Sequence, residues 1–332
     1  MSASDVAVVD ANQSFVVSRN VLWPAVALML MFLVGWPLFA PNPFLFTIGT
    51  FIVLNAIGAT SLHLIIRTGH ISLGHAAFVG VGAYCCVLAV TRFGMSPALG
   101  LVIGMAGPAL LALLIGPIVL RLTGKYFVLV TFLLGEIIRM VFVEWTSVTG
   151  GSNGISGVPP LYPSLASPIA TYYVCLAASV ACVALCARIL CSEIGRAIDS
   201  VREAQQVAQC SGVPVIQLKV SIFVLACALA GLQGGLLAFF LHYIDPTSFS
   251  MVESLNLVVM NVVGGMYSLG GPLIGTVFIV ALPELLRGYV ELQRVFFGII
   301  LIVVMAALPG GMVEIFGRAR RLLTTEMNRA TR

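Results

Sequence analysis

Two clusters of residues in this chain could do chemistry, and neither has the make-up of a catalytic centre. Glu136 and Arg139 stand three apart inside an apolar run. At that spacing a carboxylate and a guanidinium can pair along one helix face. Ionisable groups inside a membrane span are costly and usually turn inward, paired. Two readings follow: the pair shapes a path or a movable contact between helices, or it neutralises itself and only fixes helix packing. The second cluster is a polar island from Cys191 to Lys219, CSEIGRAIDSVREAQQVAQCSGVPVIQLK, flanked on both sides by long hydrophobic stretches. Within it Glu203, Ala204, Ala208 and Gly212 recur near every fourth residue, which puts them on neighbouring turns of one helix face. Gly212 can end that helix, and Pro214 opposes its continuation. A short amphipathic helix outside the bilayer suits a docking surface for a soluble partner; an ordinary solvated loop is the other reading.

The remaining chemistry is defined by what is missing. The chain has no GxxxxGK[ST] phosphate loop, so any ATP that drives it is bound by another chain. It has no HExxH, no G-x-S-x-G and no Cys/His metal-ligand spacing, so no catalytic residue and no metal are expected. Its eight cysteines include no CxxC pair, and most fall in apolar runs, where packing is their expected role.

The elements that must position these clusters follow from composition. The 332 residues are 60% hydrophobic and 9% charged, against roughly 25% charged in soluble domains. Such a chain is expected to be all-α, a polytopic membrane helix bundle, because backbone facing lipid must satisfy its hydrogen bonds within each segment. A β-barrel would instead alternate in short segments. About ten spans are expected, near 21–39, 44–66, 74–91, 98–120, 126–143, 169–190, 220–241, 252–267, 272–284 and 295–309. The polar start lacks the short positive region of a cleaved leader, so 21–39 reads as a retained first span. With both termini cytoplasmic, thirteen of the seventeen Lys and Arg lie on the inner side and three outside, as the positive-inside rule requires. The whole chain, 1–332, then reads as one membrane domain. Its segment 191–219 faces the cytoplasm, and 310–332 is a basic cytoplasmic tail. The net charge of +4 is modest and implies no nucleic acid.

Candidates for a path through the membrane cluster at three places. Ser72, Gly74 and His75 open the third span, where glycine lets backbone approach a ligand or a neighbouring helix; the other reading is an N-cap by Ser72 with His75 at a helix contact. Asn261 precedes and Gly264 and Gly265 open a run, GGMYSLGGPLIG, whose glycine and proline density breaks helices. Broken helix in a membrane is tolerated where it is buried or lines a cavity, and a tight hairpin is the alternative. Thr149, Gly150, Gly151, Ser152 and Asn153 fall in an outer loop, as an outer gate, a contact for an external protein or a flexible turn. Gly231 and Gly235 form a small-xxx-small pair suited to helix packing.

Four stretches carry a family resemblance. LTGKYFVLVTFLLGEIIRMVFVEWTSVTGGSNGISG (Leu122 to Gly157), GHISLGHAAFVGVGAY (Gly69 to Tyr84), EIGRAIDSVREAQQVAQCSGVP (Glu193 to Pro214) and VVGGMYSLGGPLIG (Val262 to Gly275) resemble the LivM-type permease of branched-chain amino acid ABC importers. The resemblance implies a non-catalytic permease of the bacterial inner membrane, paired in the bilayer with a LivH-type subunit. It implies two ATPase subunits of LivG/LivF type beneath, carrying the ATP and magnesium, and a periplasmic substrate-binding protein above. Glu203, Ala204, Ala208 and Gly212 correspond to the family's coupling helix. The chain departs from the common pattern at His63, Arg67 and His70, so urea, amides and aromatic acids stand beside branched-chain amino acids as substrates. A self-sufficient secondary transporter or channel is the competing class; it should show inverted repeats and charged midplane residues.

Overall fold

The computed structural model describes residues 43–161 and 168–285, with positions 35, 36, 295, 298, 299, 302 and 311–313. The expected spans 21–39 and 295–309 and the tail 310–332 lie almost wholly outside the described residues. Eight apolar helices occupy the rest: α1 Pro43–Arg67, α2 His75–Thr91, α3 Pro97–Val119, α4 Lys125–Glu144, α5 Pro168–Leu190, α8 Val215–Leu241, α9 Met251–Gly264 and α10 Gly271–Leu285. Two short helices, α6 Glu193–Glu203 and α7 Gln205–Cys210, separate α5 from α8. The eight coincide with the middle eight expected spans to within a few residues at each end. Helices α1, α3, α4, α5 and α8 are long and apolar enough to cross a membrane, and α2, α9 and α10 are shorter.

Helix α3 shows most plainly what solvent the fold is built for. Its buried residues Gly100, Gly104, Pro108, Ala112 and Gly116 fall every fourth position. Its large residues, among them Leu110, Leu114 and Ile118, point outward and are more than half exposed. A soluble helix does the reverse. With lipid outside, large apolar chains cost nothing at the surface, and small ones inside let helix backbones meet. Gly82 of α2, Gly104 of α3 and Gly231 of α8 share one such meeting point: a methyl added at any of them would run into backbone of a neighbouring helix. Gly235, four residues on, packs against Leu101 and Cys86. Helix α8 is thereby the axis of the bundle, packed on α1, α2 and α3.

Alternating helix directions gather the described connections at two ends. One, the basic end, collects Arg67 of α1, the starts of α4 and α8, the polar helices α6 and α7, and the turn between α9 and α10. The other, the loop end, collects residues 145–161 and 242–250, joined by a two-residue antiparallel pairing of Ile155 with Ile244 and Ser156 with Tyr243.

Candidate functional site

At the basic end the polar island folds as two helices rather than one. Ser192 caps α6, its hydroxyl accepting from the Ile194 N–H at 3.2 Å. Gly195, Ile198 and Val201 turn inward along one face. The chain then leaves helical geometry at Ala204 (φ −150°, ψ 80°) and α7 begins. Glu203 and Ala208 therefore do not share the continuous helix face expected from their spacing. Just past the break Lys219 Nζ, from within α8, donates to Gln205 Oε1 at 2.8 Å and ties the start of α7 to the bundle. Ala208 joins Val201 and Val215 in a small separate core. Gly212, at φ +87°, closes α7 as expected. Gly212 N–H donates to Gln209 O and Val213 N–H to Ala208 O, both at 3.1 Å, the paired bonds of a Schellman end.

The island is bound to the membrane helices by charge. Arg67 Nη2 donates to both carboxylate oxygens of Asp199 at 2.6 Å, and its Nη1 donates to Tyr267 O at 2.7 Å. Arg202 lies over the Tyr267 ring, 4.7 Å from its centroid. This clamp joins α6, the end of α1 and the α9–α10 turn. Beside it His70 is buried and packs edge-on to Phe127; burial first, then the charge of Lys219, lowers its pKa to about 4 and keeps it neutral.

Inward from the clamp lies a packed polar layer that contains the first two groups of path candidates. His75 Nε2 is 2.8 Å from Ser61 Oγ, whose own hydrogen goes to Gly58 O. His63 Nδ1 reaches Asn261 Oδ1 at 3.2 Å. Asn261 Nδ2 donates to Ala59 O at 3.0 Å and Leu257 O at 2.9 Å. All of these side chains are fully buried. Ser72 is not the N-cap of α2: its hydroxyl is buried without a partner among the described residues. Ser254 of α9 performs that role from across the bundle, accepting from Ala76 N–H at 2.9 Å. Gly74 lies against the carbonyl of Thr131 on α4. The glycine-rich run is a tight hairpin: Gly264 lies on Gly271, and Gly275 on the carbonyl of Met260. Gly264 and Gly265 are buried in that contact.

At the loop end the expected flexible turn is tied down. The Thr149 hydroxyl lies 2.6 Å from Phe142 O and 2.8 Å from Trp145 O. Gly150, Gly151 and Gly154 all take positive φ, which lets the chain coil this tightly. Tyr243 Oη donates to Asn153 O at 3.0 Å, and Arg92 donates to Ser147 O and Val148 O. Ser152 and Asn153 remain exposed. In the neighbouring loop, burial raises the pKa of Asp245, but hydrogen bonds from Ser248 and Thr247 outweigh it and keep its carboxyl below the ordinary range.

Glu136 and Arg139 do pair, Nε to Oε2 at 2.8 Å, with 26% and 27% of their side chains exposed. Leu133, Ile137 and Met140 beside them are about half exposed.

Between the polar layer and the loop end the helices part around a cavity of about 390 Å³. Phe51, Leu54, Leu257, Met260, Ile279 and Val280 form apolar walls; Asn55, Gln233, Ser248, Glu253 and Asn256 supply the polar lining. Leu241, Ser248 and Glu253, at the loop end, are exposed, while Leu54, Leu257 and Met260 at the floor are buried. None of these polar residues was marked by motif or spacing. A signal existed for two of them: Asn55 and Gln233 are isolated amides in apolar spans, where polar groups tend to face a cavity. Asp199 and Tyr267, likewise missed as site residues, gave no such local signal.

The match to known proteins is consistent from end to end of the described bundle. Residues 44–305 match the family model described as branched-chain amino acid transport system / permease component. The chain is 28% identical over 317 residues to the high-affinity branched-chain amino acid transport system permease protein LivM of Salmonella typhimurium, and 27% identical to that of Escherichia coli. Each alignment covers 86% of this chain and 73% of the relative. It is 23% identical over 295 residues to a probable branched-chain amino acid transport permease protein LivH of Methanocaldococcus jannaschii, covering 82% of this chain and 92% of that one. No solved structure matches it. With a family model spanning most of its length and a bundle of apolar helices beneath it, this multi-pass membrane chain belongs to the branched-chain amino acid transport system permease family.

Proposed function

We propose that the chain is the LivM-type half of an ATP-driven importer in the inner membrane, moving branched-chain amino acids inward. A LivH-type subunit pairs with it, two ATPase subunits carry the ATP and magnesium, and a periplasmic binding protein delivers substrate. The observation that carries this is the clamped polar island. Helix α7 presents Gln205, Gln206, Val207 and Gln209 to solvent, with Val207 65% exposed. Its neighbour α6 is held to α1 and to the α9–α10 turn through Arg67, Asp199, Arg202 and Tyr267. A partner that pulled on α7 would move the ends of three membrane helices at once. A secondary transporter or channel has no use for an exposed lever of this kind. In this reading the basic end is cytoplasmic, and Glu203, Ala204, Ala208 and Gly212 belong to the coupling element. Ser72, Gly74, His75, Asn261, Gly264 and Gly265 close the inner end of the path, and Thr149 to Asn153 meet the binding protein.

The Glu136–Arg139 face of α4 is assigned to the partner subunit. A half-open ion pair at mid-helix is expensive against lipid, and a second protein surface there removes that cost.

The test replaces Glu203 by Lys and Val207 by Asp in the assembled transporter. Neither side chain is buried, so both variants should insert and bind the LivH-type partner. ATP-driven leucine uptake in vesicles should fall roughly tenfold or more, within the range of ordinary coupling energies. Uptake at the unsubstituted level in both variants would sink the assignment of α7.

A further inference from the structure

The cavity between the polar layer and the loop end has a lining with a direction, and that lining specifies a ligand. Its volume, about 390 Å³, sits in the range of small-molecule sites, roughly 300–1,000 Å³. Among its described lining residues the one charged group is a carboxylate, Glu253 at the exposed mouth, held by Asn256 Nδ2 at 3.5 Å. Deeper in, Gln233 is 95% buried (5% exposed). Its Nε2 reaches Asn55 Oδ1 at 3.5 Å, and its Oε1 has no partner among the described residues. Asn55 Nδ2 gives one hydrogen to Phe51 O at 3.0 Å. Each amide nitrogen carries two hydrogens, so each keeps one to offer a ligand. The walls facing these groups are aliphatic: Leu54, Leu257, Ile279 and Val280.

We infer that this cavity is an entry chamber for an aliphatic α-amino acid zwitterion: Glu253 takes the ammonium at the mouth, the Asn55–Gln233 amides take the carboxylate, and the apolar wall takes the side chain. The inference rests on the permease reading and deepens it. Neutral amides would not need Glu253, and an aromatic acid without an ammonium would be repelled by it. A carboxylate at the mouth followed by neutral donors admits a zwitterion and gives it one opposite charge, for the ammonium, and none for the carboxylate. A transport chamber needs that weakness, since its ligand must leave.

Ser248→Cys, or Leu241→Cys should the first variant fail to fold, places a thiol at the mouth. The complete permease–ATPase complex in nanodiscs, without binding protein or nucleotide, is exposed to a water-soluble thiol reagent, and modification at that position is read by peptide mass. L-leucine should slow the reaction, and 3-methylbutylamine should slow it less. 4-Methylpentanoate, the same carbon skeleton without the ammonium, should leave it unchanged. Adding Glu253→Gln should raise the leucine concentration for half-protection roughly tenfold, the loss of one charged hydrogen bond. No protection by leucine, equal protection by 4-methylpentanoate, or indifference to Glu253→Gln would each overturn the proposal. ATP-driven leucine uptake by the unsubstituted complex is measured in parallel. Uptake without protection condemns the chamber and leaves the permease reading standing; no uptake counts against that reading itself.

Discussion

The same helices are parted at one end of the bundle and locked at the other. Toward the loop end α1, α8, α9 and α10 stand apart around the cavity, with polar groups that have hydrogens to spare. Toward the basic end α1, α2 and α9 are drawn together by His63–Asn261, Ser61–His75 and the Ser254 cap, then sealed by the Arg67–Asp199–Tyr267 clamp. Both halves contain buried polar groups. Buried atoms without a partner among the described residues occur in both, Ser72 Oγ, His63 Nε2 and His75 Nδ1 in the packed half and Gln233 Oε1 beside the cavity; what differs is that in the packed half direct side-chain bonds draw α1, α2 and α9 together. The bundle is parted on one side and packed on the other, and the packed side is held by interactions rather than by bulk.

The comparison can be broken hardest at the α9–α10 hairpin. Gly275→Leu drives a side chain into the Met260 carbonyl backbone, where no rotamer escapes. Overpacking costs about 1–3 kcal/mol even in forgiving cores, and a backbone collision lies at the top of that range or beyond. The purified protein should lose its cooperative melt, and little should reach the membrane. Asp199→Asn is the next largest. It keeps the shape of the clamp and removes its charge, costing roughly 1–3 kcal/mol as a charged hydrogen bond, less for Asp199 being a third exposed. The basic end should loosen, seen as ATP hydrolysis no longer tied to loaded binding protein. If hydrolysis stays tightly coupled, the clamp is scaffold only.

Ser61→Ala probes the polar layer at a smaller scale. It leaves His75 Nε2 buried and unpaired, roughly 1–3 kcal/mol, while the cavity above should keep its leucine protection. Loss of that protection would mean that the two halves are not separable. Glu136→Gln sharpens the lateral edge of the comparison. The pair is a quarter exposed in the single chain, so its effect on the chain alone should be about 1 kcal/mol or less. The melting shift should grow when the LivH-type subunit is bound, and an equal shift with and without it argues against a partner on α4.

How much of this could be read from residues alone depends on the range of the interaction. Eight helices were legible because each is a local run of apolar residues, and the end of α7 was legible because Gly212 and Pro214 act on their own neighbours. The break at Ala204 was not. Alanine is the best helix former, and the contact found just past the break, Lys219 with Gln205, comes from fourteen residues away. The N-cap of α2 was misplaced for the same reason: Ser72 has the right type and position, but Ser254 arrives from 178 residues downstream of Ala76. The clamp and the cavity are still more remote, because they exist only where distant helices meet.

That remoteness has a consequence for how the molecule is made. Arg67 is synthesised long before its partners: Asp199 follows 132 residues later and Tyr267 200 residues later. At translation rates of about 5–20 residues per second the guanidinium waits on the order of 10–40 s for Tyr267. During that wait α1 can sit in the bilayer, but its basic tip has nothing to hold. The seal at the basic end is therefore among the last contacts to form in the life of a nascent chain. A chain that stops before residue 267 leaves the Arg67 guanidinium without its Tyr267 carbonyl.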